Sequence, residues 1–600
     1  MASQKPGLLE ELKRRNVPRA ALLYAGAIWA LAQGISQLAP SFGAPGWVTR
    51  WFLIAATIGF PFWLSFAWFY ELTPQGLKRE SEAASNAAIT HSAARKLDFA
   101  IIGVMAVAIV LLASGYFIHR GAPAKVVPTS APTAAKPAAF DPPADTIVVL
   151  PFKNLSGDPK QQYFSDGITE ELTDALGQNP ALRVIAWDTA SRYRDSHESA
   201  QAMGKALNVA HILHGSIARA GDEVRITAEL VDTRSGYQVW SKHYDDSFAN
   251  IFQVQDKVSQ AIASALQVKF AKADQLAEGT RNPAAHELVL KGRALLEKRD
   301  ATSYAAARRD FEQALSLDPD YAEAHAWLAH VLLDLTASSD LPIKATLPTI
   351  RAHAEKALAL DPRNADAWVA LGNADASADP PEFAQARTEY RNALALDPSN
   401  VAAHIDYGNV LPLKPALAQI REASLLDPAN ATAWNNLALD DQDLGNWAQV
   451  IQAAKTLLRL DPVDVDSAFE LAYAHQQLHQ YDQMLAAFDR VQPATPLDKQ
   501  QVAAGRLVYR AIRDRALVPQ ALAALKDLSR HRSNPDVESN LLQLYLVLGQ
   551  TQPALQLLES ICPATPIGCS DLAINPMYRS LRADPRFQLL AKKYTTETVE

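Results

Sequence analysis

Cysteine is nearly missing from this sequence. Cys562 and Cys569 are the two in 600 residues, which excludes multi-thiolate zinc and iron–sulfur centres within one chain. A surplus of positive charge is missing too. The chain carries 57 Lys and Arg against 65 Asp and Glu, a net charge of −8. No whole-chain electrostatic attraction for nucleic acid follows from that balance. No G-x-x-x-x-G-K-[ST] occurs, so there is no P-loop, and Ser156-Gly-Asp-Pro, without the lysine, reads as a turn. His214-Gly-Ser216 lacks the glycines that flank the serine of a nucleophile elbow. His211 and His214 lie three apart on a strand and point to opposite faces. His475 and His479 share a helical face at i, i+4, but no third ligand follows, and a solvated repeat face is the better reading. Asp440, Asp441 and Asp443 lack the glycine and distal glutamate of a calcium loop. The expectation is a non-enzyme with no catalytic residue, cofactor or metal.

Long apolar runs are present. Residues 20–39, 51–70 and 99–118 contain no charged side chain. Each 20-residue run reaches ~30 Å as a helix, one hydrocarbon core, so three transmembrane helices are expected within an anchor over 18–120. Trp47, Trp51, Tyr70 and Tyr116 sit near the ends, as interfacial aromatics do. Lys5, Lys13, Arg14, Arg15 and Arg19 precede the first run, and Lys78, Arg79, Arg95 and Lys96 separate the second from the third. The connection between the first two holds only Arg50. The positive-inside rule then places residues 1–17 and 71–98 in the cytoplasm and everything from about residue 120 outside. In a bacterium with two membranes that means an inner-membrane protein with a periplasmic body. Residues 71–97 are too few for a helix-turn-helix domain with its own core.

Residues 121–145 are rich in Pro and Ala and read as a semi-rigid extended linker. A compact α/β domain is expected over 146–272. Thr146–Phe152 and Arg183–Ala186 read as strands, and Ile168–Leu176 and Ala200–Leu207 as helices. His211–Ala218, Val224–Asp232 and Tyr237–Tyr244 form a meander, and Phe252–Phe270 a closing amphipathic helix.

Over 284–562 the motif Leu-Asp-Pro recurs at Leu317, Leu360, Leu396, Leu426 and Leu460. A period in the mid-thirties is that of tetratricopeptide (TPR) repeats, paired antiparallel helices that stack into a solenoid, and six to eight fit. Pro428–Pro462 is the cleanest unit, with Trp434, Leu437, Ala438, Gly445, Ala454 and Leu457 at packing positions. Asn540–Ile561 reads as a degenerate late unit, and 563–600 as a carboxy-terminal cap. Cys562 and Cys569 are candidates for a disulfide in an oxidising compartment; two buried thiols are the alternative. Asn373 and Asn409, at equivalent positions of successive repeats, are candidate contacts for the backbone of a bound peptide. The basic partners of a carboxylate clamp are missing, since Val369 and Leu439 hold the matching places. Residues 121–600 carry 46 basic and 59 acidic side chains, which disfavours nucleic acid and anionic headgroups.

Two stretches, Val148-Val-Leu-Pro-Phe-Lys-Asn-Leu-Ser-Gly-Asp-Pro159 and Tyr163-Phe-Ser-Asp-Gly-Ile-Thr-Glu-Glu-Leu172, resemble the amino-terminal domain of TolB and its FlgO-like relatives. Leu213-His-Gly-Ser-Ile217 and Ala228-Glu-Leu-Val-Asp-Thr233 extend the resemblance over nearly the whole domain. Leu9-Glu-Glu-Leu-Lys-Arg-Arg-Asn-Val17 and Phe69-Tyr-Glu-Leu-Thr-Pro-Gln-Gly76 are similar to the front of bacterial inner-membrane proteins often named TPR or adenylate-cyclase-like. The tail Asn575–Leu590 resembles the ending of that family. No cyclase domain is visible. The sequence therefore reads as a multi-domain chain: three transmembrane α-helices, a small TolB-like α/β domain, then an all-α TPR solenoid. The function this implies is a scaffold or sensor binding envelope proteins, with self-association possible. The alternatives are a regulatory subunit of a membrane or cyclase-type signalling enzyme, and a ligand-binding or hydrolytic α/β domain. Fold resemblance alone does not decide between them.

Overall fold

The structure, a computed structural model, describes residues 28, 70–73, 76–79, 140–266, 279–338, 341–564, 569 and 571–594. The chain divides into two compact units, residues 1–135 and 136–600. In the first unit the described backbone is helical at Ile28 and forms an antiparallel hairpin, Tyr70–Thr73 against Gly76–Arg79. Tyr70 thus opens a strand, where the sequence suggested the end of an apolar helix. The rest of the three expected spans lies outside the described residues, and among those described no helix is long and apolar enough to cross a membrane.

The second unit begins with a six-stranded sheet. Its strands are β1 (Thr146–Val149), β2 (Lys153–Asn154), β3 (Arg183–Ile185), β4 (His211–Ala220), β5 (Glu223–Asp232) and β6 (Gln238–Ser247). The order is β3-β1-β4-β5-β6, with β2 also pairing to β4. β1 runs parallel to β3 and β4, while β4, β5 and β6 form an antiparallel meander. The helices are α1 (Gln162–Gly177), α2 (Trp187–Ser191), α3 (Ala200–Leu207) and α4 (Ile251–Ala265).

Successive side chains of β1 explain why the domain needs two layers of helices. Ile147 and Val149 join Ile168, Leu172, Val258 and Ile262 of α1 and α4 in one core, whereas Val148 joins Met203 and Leu207 of α3 in another. All three β1 valine and isoleucine side chains are fully buried. A continuous apolar strand is what a two-sided burial demands. The His214-Gly215-Ser216 run also gains a packing explanation. A Cβ at Gly215 would stand 2.0 Å from the Thr227 carbonyl of β5 and 2.8 Å from the Phe152 ring.

Among the described residues sixteen helices follow in eight antiparallel pairs. They are α5 (Pro283–Leu296), α6 (Ala301–Leu317), α7 (Ala322–Ser338), α8 (Ile343–Leu360), α9 (Ala365–Ala376), α10 (Phe383–Leu396), α11 (Val401–Asn409) and α12 (Leu413–Leu426). Then come α13 (Ala431–Asp443), α14 (Trp447–Leu460), α15 (Val465–Gln477), α16 (Tyr481–Ala486), α17 (Pro496–Arg513), α18 (Val518–Leu528), α19 (Pro535–Val547) and α20 (Thr551–Ala564). Small residues at the crossings let helices approach. A Cβ at Gly292, Gly372 or Gly505 would collide with the ring of Phe311, Tyr390 or Phe469. The later pairs curl tightly: Gln543 of α19 donates to Phe469 O of α15 and to Tyr509 of α17. A final helix, α21 (Pro585–Tyr594), buries Phe587 beside Tyr578 and covers the end of the last core.

Candidate functional site

The Leu-Asp-Pro turns link the second helix of one pair to the first helix of the next, and four of the five close by the same device. Asp318, Asp361, Asp397 and Asp461 each accept the backbone N–H two residues on, at 2.9–3.2 Å. Asn364, Asn400, Asn430 and Asp464 then cap the following helix. The proline carbonyl accepts from a ring six residues later: Trp368 on Pro362, His404 on Pro398, Trp434 on Pro428. With these bonds repeated from turn to turn, the turns form an ordered edge along the solenoid.

The α/β domain docks on that edge. The contact begins in β3, where Val184 N–H donates to Ser399 Oγ at 3.2 Å and Arg183 pairs with Glu422. It continues through four consecutive residues. Ala186 N–H donates to Leu426 O at 2.8 Å, and Trp187 Nε1 donates to Glu297 at 2.6 Å. Asp188 pairs with Arg299, and Thr189 Oγ1 donates to Asp427 Oδ1 at 2.5 Å. Ala429 N–H donates back to Thr189 Oγ1 at 2.9 Å. The fourth Leu-Asp-Pro turn is therefore closed through the hydroxyl of another domain. Gly177, at the end of α1, has no room for a side chain, since Asp397 Oδ1 lies 2.9 Å from where its Cβ would be.

The centre of the junction is a buried cation. Arg293 on α5, its side chain 4% exposed, bonds Glu170 and Asp174 of α1 at 2.8 Å and Glu323 of α7 at 3.2 Å. Its guanidinium also lies 4.6 Å from the Trp327 ring centroid. Burial would favour the neutral form, but Glu170, Asp174 and Glu323 outweigh it and hold the guanidinium charged. Burial raises the carboxyls of Glu170, Asp174 and Glu171 despite Arg293. His286 sits 3.5 Å from Glu171 with its pKa driven down to about 3, first by burial and then by Arg293. It is a neutral ring at ordinary pH. On the outer side, Glu287 accepts from Tyr163 and pairs with Arg219 and Lys291; these hold it at about 2 against burial.

Two clefts flank Arg293, one of about 580 Å³ and one of about 460 Å³. The larger runs between the domain and the first helices of pairs one, two and four, past Trp187, Tyr304 and Trp327. Acidic side chains outnumber basic ones on both walls. Among the described residues no group of three or more His, Cys, Asp and Glu side chains is arranged to hold a metal ion.

Asn373 and Asn409 lie on α9 and α11, each nine residues after its cap. Both amides tie neighbouring repeats. Asn373 donates to Asp406 at 3.0 Å and accepts from Tyr390 at 2.5 Å, while Asn409 accepts from Asn436 at 3.0 Å. A disulfide joins Cys562, at the end of α20, to Cys569, and both are buried. His475 and His479 do not share a helical face: α15 stops at Gln477 and His479 takes φ of 57°. His475 instead bonds Gln480. Arg293 and the Ala186–Thr189 run escaped sequence reasoning. No motif marks either, and their partners across the domain boundary lie 100 or more residues away.

A family model described as tetratricopeptide repeat matches residues 289–337 and 435–499, which fall on α5–α7 and α13–α17. These stretches are TPR repeats. The chain is also similar to a protein of Rhizobium meliloti named putative adenylate cyclase 3, with 36% identity over 203 residues. That match covers 33% of this chain and only 35% of the relative's length. Among solved structures, the PilF protein of Pseudomonas aeruginosa is 22% identical with a TM-score of 0.28, covering 36% of this chain and 95% of PilF. YrrB, described as a TPR protein with an unusual peptide-binding site, is 19% identical with a TM-score of 0.25. It covers 30% of this chain and 89% of its own. At those TM-scores no functional statement rests on either structure.

Proposed function

We propose that this chain is a non-enzymatic protein-binding scaffold or sensor, anchored in a bacterial inner membrane through residues 20–39, 51–70 and 99–118. The TPR solenoid carries this reading, because stacked helix pairs present long surfaces of repeated contact to other proteins. In it the 121–145 linker projects a TolB-like α/β domain and the solenoid into the periplasm. The charge distribution around the apolar runs supports that orientation, and a bridged Cys562–Cys569 pair suits an oxidising compartment. The partners are proteins of the envelope. Asn373 and Asn409 are the groove-side amides a bound backbone would engage, in exchange for their present inter-repeat bonds.

A second reading is a regulatory subunit of a membrane cyclase-type enzyme. The relative named putative adenylate cyclase favours it, over the third of the chain that the two share. In-cell crosslinking followed by purification of the full chain from membranes separates the two. Recovery of envelope proteins supports the scaffold, recovery of a nucleotide-cyclising enzyme supports the subunit, and a chain that crosslinks to no protein contradicts both.

A further inference from the structure

The run Ala186-Trp187-Asp188-Thr189 is unusual among the surface segments of the α/β domain, because every residue of it bonds the solenoid. The bonds reach two distant places on it. Trp187 and Asp188 engage Glu297 and Arg299, which follow α5 in the first pair. Ala186 and Thr189 engage Leu426, Asp427 and Ala429, in the turn between the fourth and fifth pairs. The run therefore bridges the mouth of the larger cleft.

The other four turns indicate how the fourth would close without Thr189. In the other four turns the aspartate takes the N–H two residues on directly. At Asp427 the hydroxyl of Thr189 stands between, accepting from Ala429 and donating to Asp427. Withdrawn, it lets Asp427 close on Ala429 as its four counterparts do, so no buried donor or acceptor is orphaned. A hydrogen bond that is exchanged rather than lost has a small net cost. The Asp188–Arg299 pair is about half exposed on both sides, so water replaces it readily as well. The apolar seal between the domain and the solenoid lies at α5, where Leu290 enters the α/β core; within the run Trp187 is the single large apolar side chain, and it too is held by a hydrogen bond.

We propose that Ala186–Thr189 is a displaceable clasp, an internal ligand seated on a recognition edge of the TPR solenoid. The partner that displaces it is a protein segment of like chemistry: a small residue with a free backbone N–H, then an aromatic donor, an acid and a hydroxyl. Exchange of one segment for the other detaches this corner of the α/β domain from the fourth turn and opens the mouth of the cleft, while Arg293 and Leu290 keep the domain seated on α5. The inference rests on the protein-binding reading above and names how its surface is regulated.

The test uses the full chain in detergent. Two variants release the clasp from opposite sides, Trp187→Ala with Thr189→Val, and Glu297→Ala with Arg299→Ala; the second leaves the α/β domain untouched. Hydrogen exchange reads the amides of 186–190, and a fluorescent peptide of residues 181–191 reads the vacated edge. Both variants are expected to speed exchange by about tenfold or more, the loss of one to two hydrogen bonds. The first variant is expected to bind the peptide at least about tenfold more tightly than the wild-type chain, for the same reason. Thr189→Ser, which keeps the hydroxyl, is expected to behave as wild type. Unchanged exchange in both variants, or equal peptide binding by variant and wild type, overturns the proposal. If the peptide result holds while crosslinking finds no protein partner, the clasp stands and the scaffold reading falls.

Discussion

Thr189 and Asp427 are 238 residues apart in sequence, yet their side chains share a hydrogen bond of 2.5 Å across a domain boundary. That bond turns a repeat motif into a docking point. Leu-Asp-Pro serves first to stop one helix and start the next, and at its fourth occurrence it also receives the α/β domain.

Replacing Thr189 by Val removes two hydrogen bonds at nearly constant shape. The docked state should lose about 1–3 kcal/mol, and the wild-type level should return with Ser. Calorimetry of the full chain should show the loss as an earlier or separate transition of the α/β domain.

Arg293 compensates three carboxylates from two domains. Substitution by Met keeps the stem but leaves those carboxylates facing each other, and should cost about 3–5 kcal/mol. Lys should restore only part, because it cannot present the planar fork. Denaturant midpoints for the three proteins check this. Equal midpoints for Arg and Met would show that the carboxylates are neutralised by other means.

Acidity should favour the folded chain in the neutral range. Burial, with Asp571 and Asp440 nearby, raises the Asp443 carboxyl to about 8, and burial with Asp441 nearby raises Asp440 to about 7. A folded pKa above the unfolded value of ~3.9 means the folded state holds the proton more tightly. The stability this confers is complete below the unfolded pKa and is lost as pH rises through 7 to 8. His286, held neutral in the fold, acts oppositely, but only below about 6.5 where the unfolded ring takes up a proton. Between pH 7 and 8.5 the melting temperature should therefore fall. Asp443→Asn should flatten that fall and be the more stable protein at pH 8.5, by on the order of 1–2 kcal/mol after solvent screening.

Cys562 and Cys569 close a short loop at the end of the last helix pair. Such a loop restricts the unfolded chain by about 2–3 kcal/mol. A thiol reductant should lower the unfolding temperature of the carboxy-terminal repeats, and a variant with both cysteines changed to Ser should not respond to it.

Much of this architecture is legible in the residues. The apolar run Thr146–Val149, the meander from His211 and the Leu-Asp-Pro period each report burial against a near neighbour, and near neighbours impose periodicity. Ala200–Leu207 is read to the residue because Ser199 caps one end and Asn208, in the left-handed conformation, the other. The docking is illegible for the opposite reason. Trp187, Asp188 and Thr189 look like any short amphipathic turn, and their partners at Glu297 and Asp427 carry no pattern that pairs them. His479 stands at helical spacing from His475 but lies two residues past the end of α15. The spacing of Asn373 and Asn409 suits a bound ligand as well as the inter-repeat bonds to Asp406 and Asn436 that they make.

The compartment of the solenoid decides which partners it can meet, and fusions report it directly. Alkaline phosphatase and a fluorescent protein would each be joined after residue 90 and after residue 280. The account predicts phosphatase activity only at 280 and fluorescence only at 90. Fluorescence without phosphatase activity at 280 would contradict it, placing the α/β domain, the clasp and the solenoid in the cytoplasm.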